Sequence, residues 1–214
     1  MAALHGGSAL FSLARLRLRV VRRVAAVAFL GVFAAPGIAL ASCPAQPVST
    51  PFSQWGDNNS YFLVQGGSFE GTPDQVGWTL SNATLTQGNE PFYVNDSGDS
   101  QSLTISGGGS ATSPFFCVDN TMGSLRFFAQ EVSAGGGLHV LALVQNSDGS
   151  VTTVPIARLP DGSMSTWAPT DPITGDTSGL SDDQTLSVAL EFTVRSSAAS
   201  WQIDDLYVDP YRSG

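Results

Sequence analysis

Residues 186–195 alternate without a break: Leu186, Val188, Leu190, Phe192 and Val194 are apolar, and Ser187, Ala189, Glu191, Thr193 and Arg195 stand between them. A period of two sustained over this length predicts a strand with one buried face. Shorter strand-like runs recur at 61–64, 82–86, Pro91 to Val94, 102–105, 113–118, 124–132, 137–145 and 151–159, separated by clusters of Gly, Pro, Asn, Asp and Ser. Those clusters punctuate strands. Ser133-Ala134-Gly135-Gly136 predicts a hairpin between the runs 124–132 and 137–145. Residues 168–184 read as a long polar loop, and no convincing helical period follows residue 41. About ten short strands joined by Gly-rich turns predict an all-β, two-sheet antiparallel β-sandwich.

The closing stretch Trp201-Gln202-Ile203-Asp204-Asp205-Leu206-Tyr207-Val208 breaks the simple pattern. Trp201 and Ile203 are two apart, as are Leu206 and Val208, so a regular strand sends the two pairs to opposite faces. A bulge at the two acids returns all four to one face. Carboxylates in such a strand are costly to bury unless a cation or a set of hydrogen bonds receives them. A metal is the expected receiver. Hard carboxylate oxygens and backbone carbonyls suit calcium, and Gly66-Gly67 has the backbone freedom to turn carbonyls inward.

The N-terminal part follows another logic. Arg15, Arg17, Arg19, Arg22 and Arg23 precede an uncharged apolar run at 24–40, and Ala39-Leu40-Ala41 carries small residues where a signal peptidase reads. Residues 1–41 are therefore expected to be a signal peptide cleaved before Ser42. The run is interrupted by Pro36 and Gly37 and is short for a membrane span. Residues 42–60 are expected to be an extended arm anchored by Trp55, and residues 61–214 one domain. Cys43 and Cys117, the two cysteines, are expected to pair in an oxidising space outside the cytoplasm. The alternative is a lipid anchor on Cys43, since Leu40-Ala41-Ser42-Cys43 is similar to a bacterial lipoprotein box. Beyond residue 41 there are four Arg, no Lys and eighteen acids, a net charge near −14. That balance excludes nucleic acid and anionic membrane surfaces as partners and suits cation binding.

Gly67-Ser68-Phe69-Glu70-Gly71 with Gly77-Trp78 near the start, and Trp201 to Leu206 near the end, resemble the galactose-binding-like jelly-roll sandwiches. These include carbohydrate-binding modules of secreted bacterial glycoside hydrolases. The resemblance implies a jelly-roll sandwich whose first and last strands are neighbours. It also implies a structural calcium between Glu70 and Asp204, with Asp205 a further ligand. The other reading has Glu70 accepting backbone hydrogen bonds and the two Asp capping turns. Trp78 is expected in the core. Trp167, beside a loop, either stacks on a sugar ring or packs on the sheet edge, and Tyr93, Phe92 and Tyr61 are further stacking candidates. Asp96-Ser97-Gly98-Asp99-Ser100 lacks the spacing of an EF-hand loop and reads as a solvated turn.

Catalytic equipment is sparse. His139 is the one His beyond residue 41, it sits in an apolar run, and no Gly-x-Ser-x-Gly elbow presents a Ser. Zinc sites built on several His or Cys are excluded. The expectation is a secreted, non-catalytic module binding a glycan or cell-surface polysaccharide, with one disulfide and one structural Ca2+. The alternatives are a surface-associated structural or protein-interaction sandwich and a small glycoside hydrolase using an acid pair. Exposed aromatics and amides on a groove floor favour the first, a flat apolar patch the second, and a deep cleft with two facing acids the third.

Overall fold

The structure, a computed structural model, describes residues 43–177 and 179–211. The expected signal peptide lies outside the described residues. The elements are β1 (Phe62–Leu63), α1 (Pro73–Val76), β2 (Thr79–Gln87), β3 (Gln101–Thr112), β4 (Phe116–Asp119), β5 (Ser124–Ser133), β6 (Leu138–Gln145), β7 (Val151–Leu159), β8 (Ala168–Pro169), β9 (Ile173–Thr174), β10 (Thr185–Val194) and β11 (Ser200–Val208), with a 3-10 turn at Ser53–Trp55. The strands are joined by antiparallel pairing in the order β7-β6-β10-β3-β11-β5-β8, with β1 on β11, β2 on β3, β4 on β10 and β9 on β5.

Strand β3 is the corner at which this sheet curls over itself. Its first half pairs with β11, from Leu103 opposite Ile203 to Ser106 opposite Ser200, and its last residues, Ser110 to Thr112, pair with β10. Strand β2 follows it round the corner with a register shift between Ser81 and Ala83. The bend falls at Gly107 to Gly109. A Cβ on Gly107 would stand 2.5 Å from the Ser196 carbonyl oxygen, and one on Gly109 would stand 2.5 Å from that of Asn82. Glycines that look like a strand end in sequence are here the close approach that lets one strand serve both layers.

The two layers face each other across one core. Trp201, Ile203, Leu206, Val208, Leu125 and Phe127 enter it from one side, and Val140, Val188, Leu190, Phe192 and Val194 from the other. Phe127 meets Phe192 edge-on at 5.0 Å, and Trp78, buried as expected, stacks on Phe192 at 5.9 Å. The alternation of 186–195 is thus realised in β10 and the bulge in β11. The architecture is an all-β antiparallel jelly-roll sandwich.

Four local expectations are corrected. Strands β5 and β6 form no hairpin: β5 pairs with β11, β8 and β9, and β6 with β10 and β7. Their link crosses between layers, and its glycines allow a close approach in place of a reversal. A Cβ on Gly136 would stand 2.5 Å from the Cβ of Ser196, and one on Gly137 would stand 2.3 Å from the Leu159 carbonyl oxygen. Residues 91–94 form a turn instead of a strand, because Pro91 has no N–H and Tyr93 adopts φ 52°. The polar loop 168–184 contains β8 and β9, which add short edges to β5. Finally, α1 is a single helical turn, too short for a period; Thr72 caps it, Pro73 opens it and Gly77 closes it at φ 76°.

At the N-terminal side, Cys43 and Cys117 form a disulfide with Cα atoms 5.5 Å apart. A bonded thiol is not available to a lipid anchor. The chain then runs to an isolated bridge between Ser49 and Tyr61 and lays Phe52 on the outside of the first layer, against Tyr61, Phe128 and Tyr207. Among the described residues no helix is long and apolar enough to cross a membrane.

Candidate functional site

The site is built by the bulge. Asp204 stands opposite Phe128 and Tyr207 opposite Arg126, so β11 spends Asp205 and Leu206 against a single residue of β5. Asp205 takes φ 47°, a left-handed conformation that Asp tolerates better than most side chains. Leu206 and Val208 therefore return to the core, while Gln202, Asp204 and Tyr207 stand toward the outer side of the layer.

Both acids are fully buried, and they are not equivalent. Asp204 is satisfied: Oδ2 accepts the Glu90 amide at 3.1 Å and Oδ1 accepts the Asp205 amide at 2.9 Å. Both carboxylate oxygens of Asp205 are buried without a hydrogen-bond partner. Desolvation pushes the Asp205 carboxyl up to about 8; Glu90 and Asp99 add repulsion, the Asn95 backbone N–H, outside hydrogen-bonding geometry, opposes them, and Glu70 adds a lesser repulsion. Desolvation, followed by the charge of Asp205, pushes Asp204 up to about 9.

The surrounding acids come from two loops. Glu90, fully buried, turns its carboxylate back to accept the amides of Phe92 and Val94, the latter at 2.8 Å. Glu70 accepts the amides of Ser100 at 2.7 Å and Gln101 at 2.6 Å, so the hydrogen-bonding role weighed for it is realised. Asp99 accepts the Asn95 side-chain amide at 2.8 Å, and desolvation raises its carboxyl, helped by Glu70 and Asp96. The segment read as a solvated turn thus brings Asp99 within electrostatic reach of Asp205. Sequence reasoning missed Glu90 and Asp99. Two loop acids carry no periodic signal; only a Glu directly before Pro91 and the acid density of 96–99 hinted at them.

Beside Asp204 the outer face becomes polar. Gln202 stands between Gln130 on β5 and Thr104 on β3. Gln130 Nε2 donates to Gln202 Oε1 at 2.8 Å, Gln202 Nε2 donates to Thr104 Oγ1 at 3.2 Å, and Thr104 Oγ1 shares a hydrogen bond with Thr86 Oγ1 at 2.8 Å. A row of amides and hydroxyls, each half-buried, crosses β2, β3, β11 and β5.

Aromatic residues border this row. Ala168 pairs with Ala129, which brings Trp167, one residue earlier, level with Gln130. Trp167 is partly buried and packs on the Phe52, Tyr61, Phe128 and Tyr207 cluster. Phe92 and Trp55 meet edge-on at 4.9 Å, both about one-third exposed, and Trp55 lies 5.4 Å from Phe128. Tyr93 is half exposed. Tyr61 is corrected as a stacking candidate: it is fully buried, because its hydroxyl donates to Asp57 at 2.7 Å beneath the arm. Cys43 and Cys117 belong to the other layer, where Cys117 on β4 pairs with Ser187, and take no part in the site.

No family model matches this chain, and no curated protein matches it. Solved structures do. The CBM22-1 xylan-binding domain of Paenibacillus barcinonensis Xyn10C is 12% identical, over 80% of this chain and 100% of that one, with a TM-score of 0.47. The CBM22-1-GH10 modules of Clostridium thermocellum Xyn10B, complexed with xylohexaose, are 15% identical over 69% of this chain and 28% of that one, with a TM-score of 0.46. TmCBM61 in complex with beta-1,4-galactotriose is 12% identical over 69% and 92%, with a TM-score of 0.37.

Proposed function

We propose that this chain is a secreted, non-catalytic carbohydrate-binding module whose ligand lies along the outer face of β2, β3, β11 and β5. The observation that carries the reading is the Gln130–Gln202–Thr104–Thr86 row with aromatic rings beside it. A sugar presents neighbouring hydroxyls, each both donor and acceptor, together with apolar ring faces. Carboxamides and hydroxyls match the first, and aromatic faces match the second. The disulfide supports an oxidising compartment outside the cytoplasm.

A glycosidase reading finds less support. Asp204 and Asp205 are fully buried and cannot meet a substrate. Glu131 and Asp161, the other neighbouring pair, are turned to backbone: Glu131 accepts the Gly162 amide at 2.6 Å and Asp161 the Gly135 amide at 2.7 Å.

Calcium belongs to the same proposal. Among the described residues no three Asp, Glu, His or Cys side chains are gathered closely enough to hold a metal by themselves. The residues still fit one in chemistry: Asp205 has two buried, unpartnered oxygens, and Glu70, Glu90 and Asp99 add negative potential there. Asp205 is the natural ligand, with Glu70 and Asp99 as further oxygen donors and backbone carbonyls completing a shell of the kind calcium accepts. Asp204, each of whose carboxylate oxygens accepts a backbone amide, positions the bulge and the Glu90 loop. A bound cation supplies charge neutralisation and no reaction chemistry.

A glycan-array screen with added calcium and again with chelator tests the reading. Binding to one class of polysaccharide, lost in Gln202→Ala while the fold melts within about 1 kcal/mol of the parent, is the expected result. Absence of any glycan signal under both conditions overturns it.

A further inference from the structure

A second concavity lies between the layers, at the end where β4, β9 and the following loop meet. It has a volume of about 170 Å³, and its surface is almost entirely apolar. Phe116 and Leu186 line it from the second layer, with Ile156, and Leu125, Ile173 and Val208 line it from the first. Its origin is a mismatch of lengths. Strands β6, β7 and β10 carry their inward-facing residues on to Val144, Val154 and Leu186, whereas the first layer offers only the end of β5, the end of β11 and the two-residue β9 opposite them. Ala142, Val144, Ile156 and Leu186 consequently pack on the core while remaining only partly buried.

Such a space does not suit water, which needs two to four polar partners. The hydroxyl of Thr177 at its edge is already donated to the Met122 carbonyl oxygen at 3.2 Å. A sealed apolar cavity of about 150 Å³ accepts a benzene-sized guest, and this pocket, half open to solvent, is of similar volume. Charge narrows the guest further. Among the described residues no Lys or Arg lines the cavity, Asp176 stands in its lining, and the chain beyond residue 41 has a net charge near −14, so an anionic headgroup finds no counter-charge and is repelled.

We infer that this cavity between Phe116, Leu186 and Ile173 is a binding site for a small neutral apolar molecule, one aromatic ring or a short alkyl group. It shares no residue with the polar face and stands independently of the carbohydrate reading.

The test uses the protein as produced, with toluene as the probe and hexanoate as the charged control. Methyl NMR spectra are recorded during titration, alongside thermal melts. Saturable shifts of the Leu186, Ile156 and Ile173 methyl groups with toluene, a rise in melting temperature, and at least tenfold weaker shifts with hexanoate are expected. Ala142→Leu, which grows into the cavity, should raise the melting temperature and abolish the toluene shifts. If that variant does not fold, Ile173→Phe, on the short edge strand, replaces it. No methyl response in the wild type overturns the proposal, as do toluene shifts that persist in a folded, cavity-filled variant. Equal shifts with hexanoate overturn the neutral-ligand assignment. A concentration-dependent dimer that perturbs the same methyl groups without toluene shows that a second copy occupies the cavity, and also overturns it.

Discussion

Asp205 concentrates the tension in this molecule: a non-glycine residue at φ 47°, fully buried, with both carboxylate oxygens unpartnered. With the carboxyls of Asp205 and Asp204 raised to about 8 and about 9, the folded state holds protons that the unfolded chain releases near the ordinary value of 3.8. Stability of the chelated protein is therefore greatest below about pH 4 as far as these groups are concerned, and falls as pH rises toward 8 or 9. Melting temperatures measured from pH 4 to pH 9 in chelator should decline, and Asp205→Asn should flatten the decline. A flat parent profile would remove the acid pair as a pH-dependent element. Asp57 works in the opposite sense. Desolvation raises its carboxyl, but hydrogen bonds from Tyr61 and Arg126 outweigh that and hold it low, so its contribution is present above the ordinary value and is lost in acid. Arg126 donates to Asp57 at 2.6 Å and lies over the Phe52 ring at 4.2 Å. Arg126→Leu should cost about 2–3 kcal/mol, measured by urea unfolding at neutral pH, and less in acid once Asp57 is protonated. The sequence showed two acids in a closing strand and the bulge they require. It could not show which acid the amides satisfy, because that depends on the Glu90 loop, 114 residues away in the chain from Asp204.

At the scale of elements, legibility followed periodicity. The ten-residue alternation of β10 and the paired apolar positions of β11 were readable because each strand states its own buried face. The link 133–137 was misread because Gly-rich reversals and Gly-rich crossovers use the same residues. What separates them is what they touch, here the Leu159 carbonyl oxygen and the Ser196 side chain. The corner in β3 makes the same point in a testable form. Gly109→Ala would set a methyl group 2.5 Å from one backbone oxygen and 2.7 Å from another, neither of which can rotate away. Overpacking of this kind costs about 1–3 kcal/mol, whereas Gly175→Ala, with nothing within 4 Å, should stay within about 0.5 kcal/mol of the parent. Equal denaturation midpoints for the two variants would mean that the corner yields and is not what fixes the layers.

For the whole molecule, the question is whether the acid cluster and the polar face act together. Asp204 is the hinge between them: it lies on the same strand and face as Gln202, and it holds the Glu90 amide from the loop that carries Phe92 and Tyr93. Were the proposed calcium to replace the proton that Asp205 holds below about pH 8, it would tie the bulge to the acids of the neighbouring loops and steady the rings beside the polar row. The ion should then raise stability and glycan affinity together. At about a hundred times its dissociation constant, linkage gives about 2.7 kcal/mol of stabilisation. Holding the loop should be worth roughly tenfold in glycan affinity, about 1.4 kcal/mol. Calorimetric titration of a glycan found by the array, in calcium and again in chelator, reads the second effect, and melting reads the first. Tyr93→Ala should lower affinity in calcium and remove much of the difference between the two conditions. Trp167→Ala should weaken binding and also cost about 1–3 kcal/mol of stability, since its ring is partly buried on the Phe52 cluster. A melting shift with unchanged affinity would make the ion purely a fastener of the β11 bulge. Affinity that responds while Tyr93→Ala leaves the response intact would mean the coupling runs through Asp204 and Gln202 along the strand, not through the loop.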